Sequence, residues 1–134
     1  MPNNLNSETM QKRILTIEKN PLNQRLIQRQ LTGMGFEVLE ARDSQSGIEL
    51  AIEEKPDLIL LAIYSSDGDG LKIRQQLKNH THTAAIPIIA LTTALSIRGR
   101  EDMLQSGYDD CLPKPLERHH LQALLQRMLL NPSQ

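Results

Sequence analysis

The chain places an unreactive residue at a position where chemistry is usually found. The apolar run 58–61 ends at Ala62 and opens into the polar, glycine-containing loop 64–70. Open α/β sheets bind ligands and carry their chemistry at the carboxyl ends of such buried strands. The methyl group of Ala62 cannot act as a nucleophile, a base or a metal ligand.

Other reactive side chains near this loop are weak candidates. Asp67 and Asp69 alternate with glycines, as in a calcium loop, but such a loop needs more oxygen ligands and a distal glutamate. A role for Asp69 as the N-cap of the next helix is favoured. Ser65 or Ser66 could accept phosphate instead of position 62, although no basic partner is evident.

The histidines and the single cysteine favour structural roles. His80 and His82 alternate in a polar loop, and His119 and His120 lie in the first turn of the predicted last helix. Two histidines without a third ligand seldom form a metal site. Phosphorylation of His119 or His120 stays open, but nothing distinguishes them from helix-surface residues. Cys111 is predicted to be a small buried hydrophobic residue, because no resolving cysteine supports a redox role.

Five apolar runs alternate with five helical patterns. The predicted strands cover residues 13–17, 36–40, 57–62, 86–91 and 110–112. The predicted helices cover residues 21 to 33 or 35, 44–54, about 70–79, 96–106 and 116–130. This alternation predicts a single-domain α/β fold with a doubly wound parallel sheet between two helical layers.

The first helix carries clear boundary signals. Asn20 can cap it, Pro21 suits its first position, and Gly33 or Gly35 can end it. Its apolar residues follow helical spacing. They are Leu22, Leu26, Ile27, Leu31 and Met34.

Several short motifs, in their order and spacing, resemble the receiver domain of bacterial two-component response regulators over about residues 13–130. They are the first strand with its acidic loop (14–21), the approach to the phosphoacceptor (55–61), Asp69-Gly70 at the third helix, the fourth strand with its hydroxyl residue (86–92) and the lysine–proline corner (113–115). The resemblance implies a flavodoxin-like fold with strand order 2-1-3-4-5.

The resemblance also implies roles for particular positions. In that family, a carboxylate at the position of Ala62 attacks a phosphoryl donor, and acidic residues at positions 18 and 19 help to bind Mg²⁺. A hydroxyl at Thr92 and an ammonium at Lys114 bind the phosphoryl oxygens, which neutralises developing charge. Tyr64 belongs to the same remnant pocket. An aromatic residue at position 111 rotates with the state of the site.

The chain departs from this pattern at Ala62, Lys19 and Cys111, which removes the nucleophile, a metal-supporting carboxylate and the rotating aromatic. If Glu18, Lys19 and Lys114 all face the pocket, its formal charge is +1 instead of the family's −2. At an effective dielectric constant of ~20, unit charges ~5 Å apart interact by roughly 3 kcal/mol. We therefore expect Mg²⁺ binding to be lost and Glu18 to pair with Lys114, Lys19 or both.

These departures predict a stand-alone pseudo-receiver, not an enzyme, that signals by binding a histidine kinase or another regulator. The surface of the fourth helix, fifth strand and fifth helix is a candidate dimer interface. An exposed patch there is an alternative to core roles for five apolar residues: Ile97, Met103, Leu116, Leu129 and Leu130. Two other functions stay open: a receiver that still relays phosphate through an unusual residue, or in which Ala62 was introduced, and a flavin- or nucleotide-binding protein.

The composition excludes several classes of function. The chain has 134 residues, a formal net charge of −1 and only 2% aromatic residues, which does not support nucleic-acid binding. No apolar run approaches the ~20 residues of a membrane span, and no signal peptide is recognisable. With one cysteine, these features predict a cytoplasmic protein. Residues 1–11 are predicted to be a loose tail, 12–131 the domain and 132–134 a short C-terminal tail.

Overall fold

The computed structural model describes residues 12–63, 69–92 and 97–130, and it confirms the predicted alternation. The strands are β1 (Arg13–Ile17), β2 (Glu37–Ala41), β3 (Leu58–Ala62), β4 (Ile88–Thr92) and β5 (Asp110–Pro113). The helices are α1 (Pro21–Gly33), α2 (Ser44–Glu54), α3 (Asp69–Asn79), α4 (Ile97–Gln105) and α5 (Arg118–Leu125), followed by a π-helical turn (Gln126–Leu130). No helix among these residues is both long and apolar enough to cross a bilayer.

The five strands form one parallel sheet in the order β2-β1-β3-β4-β5, which confirms the predicted topology. β3 is central, and four of its five residues are buried. In the register, Leu61 lies level with Ile17 on β1, and Ala62 lies level with Leu91 on β4. Because the strands are parallel, their carboxyl ends meet at one edge of the sheet.

Side-chain alternation along β3 divides the core between the two faces of the sheet. Leu58 and Leu60 pack with buried residues of α1 and α5, whereas Ile59 and Leu61 pack with buried residues of α2 and α3. This is the three-layer arrangement that the alternation of elements predicts. We call these two clusters the first core and the second core.

α1 begins and ends as its boundary signals predict. The side-chain oxygen of Asn20 accepts a hydrogen bond from the backbone N–H of Asn23 at 3.0 Å, and Pro21 occupies the first helical turn. The helix ends at Gly33, and Gly35 has a φ of 95°, a conformation that glycine adopts without strain.

The buried face of α1 differs from the apolar set that helical spacing suggests. Ile27 and Leu31 are buried, but Leu22 and Leu26 are 62% and 48% exposed. Gln24 takes the inward position in the first half of the helix instead.

Hydrogen bonds explain why a polar residue holds this inward position. The Gln24 amide nitrogen donates to the backbone oxygen of Ala41 at 3.0 Å, and its amide oxygen accepts from the hydroxyl of buried Thr16. A buried amide is tolerated when its polar atoms are paired in this way. Gln24 thereby ties the start of α1 to the ends of β1 and β2.

The remaining differences lie at the ends of elements. The last helix was expected from residue 116 but begins at Arg118, and its final five residues form the π-helical turn. β4 begins at Ile88, directly after Pro87, which has no N–H to donate to the sheet. α4 ends at Gln105, and Gly107 follows with a φ of 104°.

Tyr108 gives the second core a measurable pH dependence. Burial raises the pKa of Tyr108 from 10.0 to about 12, and the charge of Arg74 only partly opposes this shift. Between these two values the folded chain keeps a proton that the unfolded chain loses, so stability falls as pH rises. The loss amounts to roughly 2 kcal/mol over that window.

Urea unfolding at a series of alkaline pH values measures this effect. The free energy of unfolding of the Tyr108→Phe variant should lack the decline that Tyr108 causes. Tyr64 is present in both proteins and serves as the internal control. An identical decline in both proteins would contradict the assignment.

Candidate functional site

The carboxyl edge of the sheet gathers the residues that the sequence singled out. Glu18 follows β1, Ala62 ends β3, Thr92 ends β4 and Lys114 follows β5. Backbone hydrogen bonds continue past the strand ends: Glu18 N donates to Ala41 O at 3.0 Å, and Lys114 N donates to Thr92 O at 2.8 Å. The backbone of these positions is therefore fixed by the sheet.

Glu18 and Lys114 form a buried ion pair at this edge. The Lys114 ammonium donates to Glu18 Oε1 at 2.9 Å, and the two side chains are only 8% and 1% exposed. The other carboxylate oxygen, Oε2, accepts a hydrogen bond from the backbone N–H of Asn20 at 3.1 Å. Both carboxylate oxygens thus have a partner, and the pairing expected from charge complementarity is confirmed.

The ion pair joins strands that are not neighbours. β3 and β4 lie between β1 and β5 in the sheet, so the pair links strand ends about 14 Å apart across three strand spacings. A glutamate and a lysine, both extended, can cover roughly this distance. The shortest path between them crosses the ends of β3 and β4, where Ala62 and Thr92 lie.

Side-chain alternation places Ala62 on the same face as the ion pair. The first core contains Ile14 of β1, Leu60 of β3 and Leu112 of β5, and Glu18, Ala62 and Lys114 follow these residues at even spacing. Residues at even spacing on a strand point to the same face. Ala62, the last residue of β3, therefore faces the same side of the sheet as the first core.

Burial changes the charge count at the site. The side chains of Glu18 and Lys114 are 1% and 8% exposed, whereas Lys19 is exposed to solvent. The count of +1 required all three residues to face the pocket, whereas the buried part contains one negative and one positive group. This part of the pocket is formally neutral.

The described residues do not fit a magnesium ion. Mg²⁺ requires oxygen ligands in near-octahedral geometry, usually including one or two carboxylates. Here the only buried carboxylate that the described residues supply at the edge, Glu18, accepts hydrogen bonds through both oxygens and lies 2.9 Å from an ammonium. Ala62 supplies no side-chain oxygen, so the described residues offer Mg²⁺ no second carboxylate at this edge.

Cys111 lies deep in the second core, as the sequence predicted for a small hydrophobic residue. Burial raises the pKa of its thiol, and the nearby Arg100 guanidinium opposes part of the shift. Arg100 reaches from α4 and donates to the Cys111 backbone oxygen at 3.1 Å. Position 111, where the resemblance implies a rotating aromatic residue, thus holds a small thiol side chain that lies next to Arg100.

Sequence reasoning missed a second charged cluster beside Cys111. The buried Asp110 carboxylate accepts from Arg100 at 2.6 Å through Oδ1 and from Arg127 at 2.6 Å through Oδ2. These contacts join α4, β5 and the π-helical turn. An acidic residue inside a predicted strand was the signal that could have indicated a buried charge partner.

The structure describes only some of the other residues that the sequence singled out. Tyr64, Ser65, Ser66 and Asp67 lie outside the described residues, and α3 begins at Asp69 itself. The suggested exposed patch is not formed by its described members. These are Met103, Leu116 and Leu129, which are partly buried and pack against the two cores.

Comparison with known proteins identifies the family. The response regulator receiver domain matches residues 14–126, which include all five strands and all five α-helices apart from the first residue of β1. The chain belongs to this family. The receiver domain is 32% identical over 108 residues to the polar-differentiation response regulator DivK of Brucella anthropi, covering 80% of this chain and 87% of DivK.

A second relative is the DNA-binding dual master transcriptional regulator RpaA of Synechocystis, which is 33% identical over 117 residues. The match covers 87% of this receiver domain but only 48% of RpaA, so the chain spans about half the length of that relative.

A solved structure extends the comparison to a histidine kinase. The receiver domain of a sensor histidine kinase from Pseudomonas aeruginosa is 33% identical, with a TM-score of 0.77 over 88% of this chain and 97% of that one. That structure contains a magnesium ion coordinated in its active site cleft. A response regulator from Desulfuromonas acetoxidans, 23% identical with a TM-score of 0.81, shares the fold. This receiver domain therefore belongs to two-component signalling, in which such domains interact with histidine kinases and other regulators.

Proposed function

We propose that this chain is a pseudo-receiver that signals by protein–protein interaction, without transfer of a phosphoryl group to an aspartate. The observation that carries the proposal is the buried Glu18–Lys114 ion pair, which spans the strand end occupied by Ala62. The site thus contains the scaffold of a receiver pocket with its charges paired to each other.

The ion pair removes the means of binding a phosphoryl group. To move its ammonium towards a phosphoryl group at position 62, Lys114 would have to give up its close contact with Glu18. Breaking a buried pair leaves an unpaired buried charge, which costs about 3–5 kcal/mol. No carboxylate at position 62 offsets this cost by attacking the phosphorus, so the pocket is held in one state.

The proposed partner is a histidine kinase or another regulator, and the chain is proposed to have no enzymatic activity. The face formed by α4, β5 and α5 is the proposed homodimer surface, because the Asp110 cluster ties α4 and β5 to the π-helical turn that continues α5. Binding that does not depend on phosphate would be constitutive and set by the concentration of the partner.

Incubation with a small phosphodonor such as acetyl phosphate and Mg²⁺, followed by intact-mass analysis, tests this proposal. We expect no phosphoryl adduct on the wild-type chain under conditions that phosphorylate an active receiver domain assayed alongside. A stoichiometric adduct on any residue would contradict the proposal. Localising such an adduct to a serine or histidine would instead support a relay through an unusual residue.

A further inference from the structure

Three exposed side chains converge where α5 begins, away from the Glu18–Lys114 pair. Glu117 immediately precedes the helix in an extended conformation, and its carboxylate makes no capping hydrogen bond. Its Oε1 lies 3.6 Å from His119 Nε2 and 3.5 Å from His120 Nδ1. The donor atoms of all three residues lie within 4.8 Å of one another.

These distances suit a shared ion better than direct hydrogen bonds. Hydrogen bonds between nitrogen and oxygen in proteins measure about 2.7–3.2 Å, which is shorter than both contacts. Zinc binds imidazole nitrogen and carboxylate oxygen at about 2.0–2.2 Å, so two donors in a tetrahedron lie roughly 3.3–3.5 Å apart. The two contacts of Glu117 are close to the edge length of such a tetrahedron.

The donor types also match those of zinc. Two imidazoles and one carboxylate are a known three-ligand set, with the fourth position taken by water or by another ligand. The two imidazole rings lie with centroids 4.2 Å apart and planes tilted by 50°, so they do not stack face to face. All three side chains are exposed, which gives an ion direct access from solvent.

We propose that Glu117, His119 and His120 form a zinc-binding site with one open coordination position. His120 also lines a cleft of about 350 Å³ together with Arg100 and Asp110, so one ligand of the site borders the α4–β5–α5 face. The site uses no residue of the Glu18–Lys114 pocket, so zinc binding does not depend on whether that pocket accepts phosphate.

The chain supplies a matched control in its other pair of histidines. His80 and His82 are also close, with ring centroids 5.3 Å apart, but His80 Nδ1 accepts a hydrogen bond from the backbone of His82 at 3.1 Å. Among the described residues, this pair does not belong to a group of three metal-ligating side chains. It carries the same number of imidazoles without the converging carboxylate.

Titration of the full-length, metal-free chain with Zn²⁺ by isothermal calorimetry tests the site. We expect one zinc ion per chain, at least tenfold weaker binding in Glu117→Gln, and loss of binding in the double variant His119→Ala, His120→Ala. The double variant His80→Ala, His82→Ala and the variant Cys111→Ser should bind as the wild type does. Tetrahedral absorption bands of bound Co²⁺ give a second, structural readout.

Equal binding by the wild type and the His119, His120 double variant would overturn the proposal. Loss of binding in the His80, His82 variant or in Cys111→Ser would overturn it as well, because the ion would then be held elsewhere. The substituted side chains are exposed, and circular dichroism verifies that each variant is folded.

Discussion

Replacing Lys114 with methionine is expected to lower the free energy of unfolding by about 3–5 kcal/mol at neutral pH. The substitution keeps an apolar stem but leaves the Glu18 carboxylate, which is 1% exposed, without its cationic partner. Urea unfolding of the wild type and the variant at neutral pH measures this loss.

The double variant Glu18→Gln, Lys114→Met is the decisive comparison for this prediction. Removing both charges should recover most of the lost stability, since a neutral pair can replace a buried ion pair at little cost. Lys19→Met serves as the control, because Lys19 is exposed and its loss should change stability by less than about 0.5 kcal/mol. If Lys114→Met proved as stable as the wild type, Glu18 would not depend on Lys114.

The second large effect is expected from restoring the missing acidic groups. Ala62→Asp alone adds a carboxylate that must compete with Glu18 for Lys114, so we expect little phosphorylation. Adding Lys19→Asp changes the formal charge at the edge by a further −2. Since one carboxylate ~5 Å from a unit charge is worth roughly 3 kcal/mol, the aspartate at position 62 alone accounts for a gain of at least about 100-fold in the Mg²⁺ affinity of the double variant.

Acetyl phosphate and intact-mass analysis measure the chemical consequence. The double variant should accumulate a phosphoryl adduct, whereas Lys19→Asp alone should not, because it has no nucleophile at position 62. Full phosphorylation of Ala62→Asp without the second substitution would show that Lys19 does not prevent phosphorylation at position 62. An unreactive double variant that binds Mg²⁺ would locate a further defect elsewhere in the pocket.

Local signals in the sequence were sufficient to predict the helices, the strands and the α/β class, whereas the strand order was implied by the family resemblance. Asn20 and Pro21 set the start of α1, and the apolar run that ends at Ala62 marked the central strand. Such signals depend only on neighbouring residues and on the spacing of apolar residues, so they can be recognised without knowledge of tertiary contacts. The parallel order of the strands then brought the predicted site residues to one edge.

Features that depend on long-range pairing could not be predicted in the same way. Gln24 faces inward because its partners Thr16 and Ala41 come from two strands, which helical spacing does not indicate. Asp110 is buried because arginines 10 residues before it and 17 residues after it converge on its carboxylate. The sequence likewise left open whether Glu18 pairs with Lys19 beside it or with Lys114, 96 positions away.

We propose that the Glu18–Lys114 pair closes the pocket at Ala62 to metal and phosphate. Titration of the ¹⁵N-labelled wild-type chain with Mg²⁺, followed by amide chemical shifts, tests it most directly. We predict no saturable change at Glu18, Ile63, Thr92 and Lys114 up to about 10 mM Mg²⁺, with the double variant Ala62→Asp, Lys19→Asp as the positive control. Saturable shifts of these amides in the wild type at low millimolar Mg²⁺ would contradict the claim.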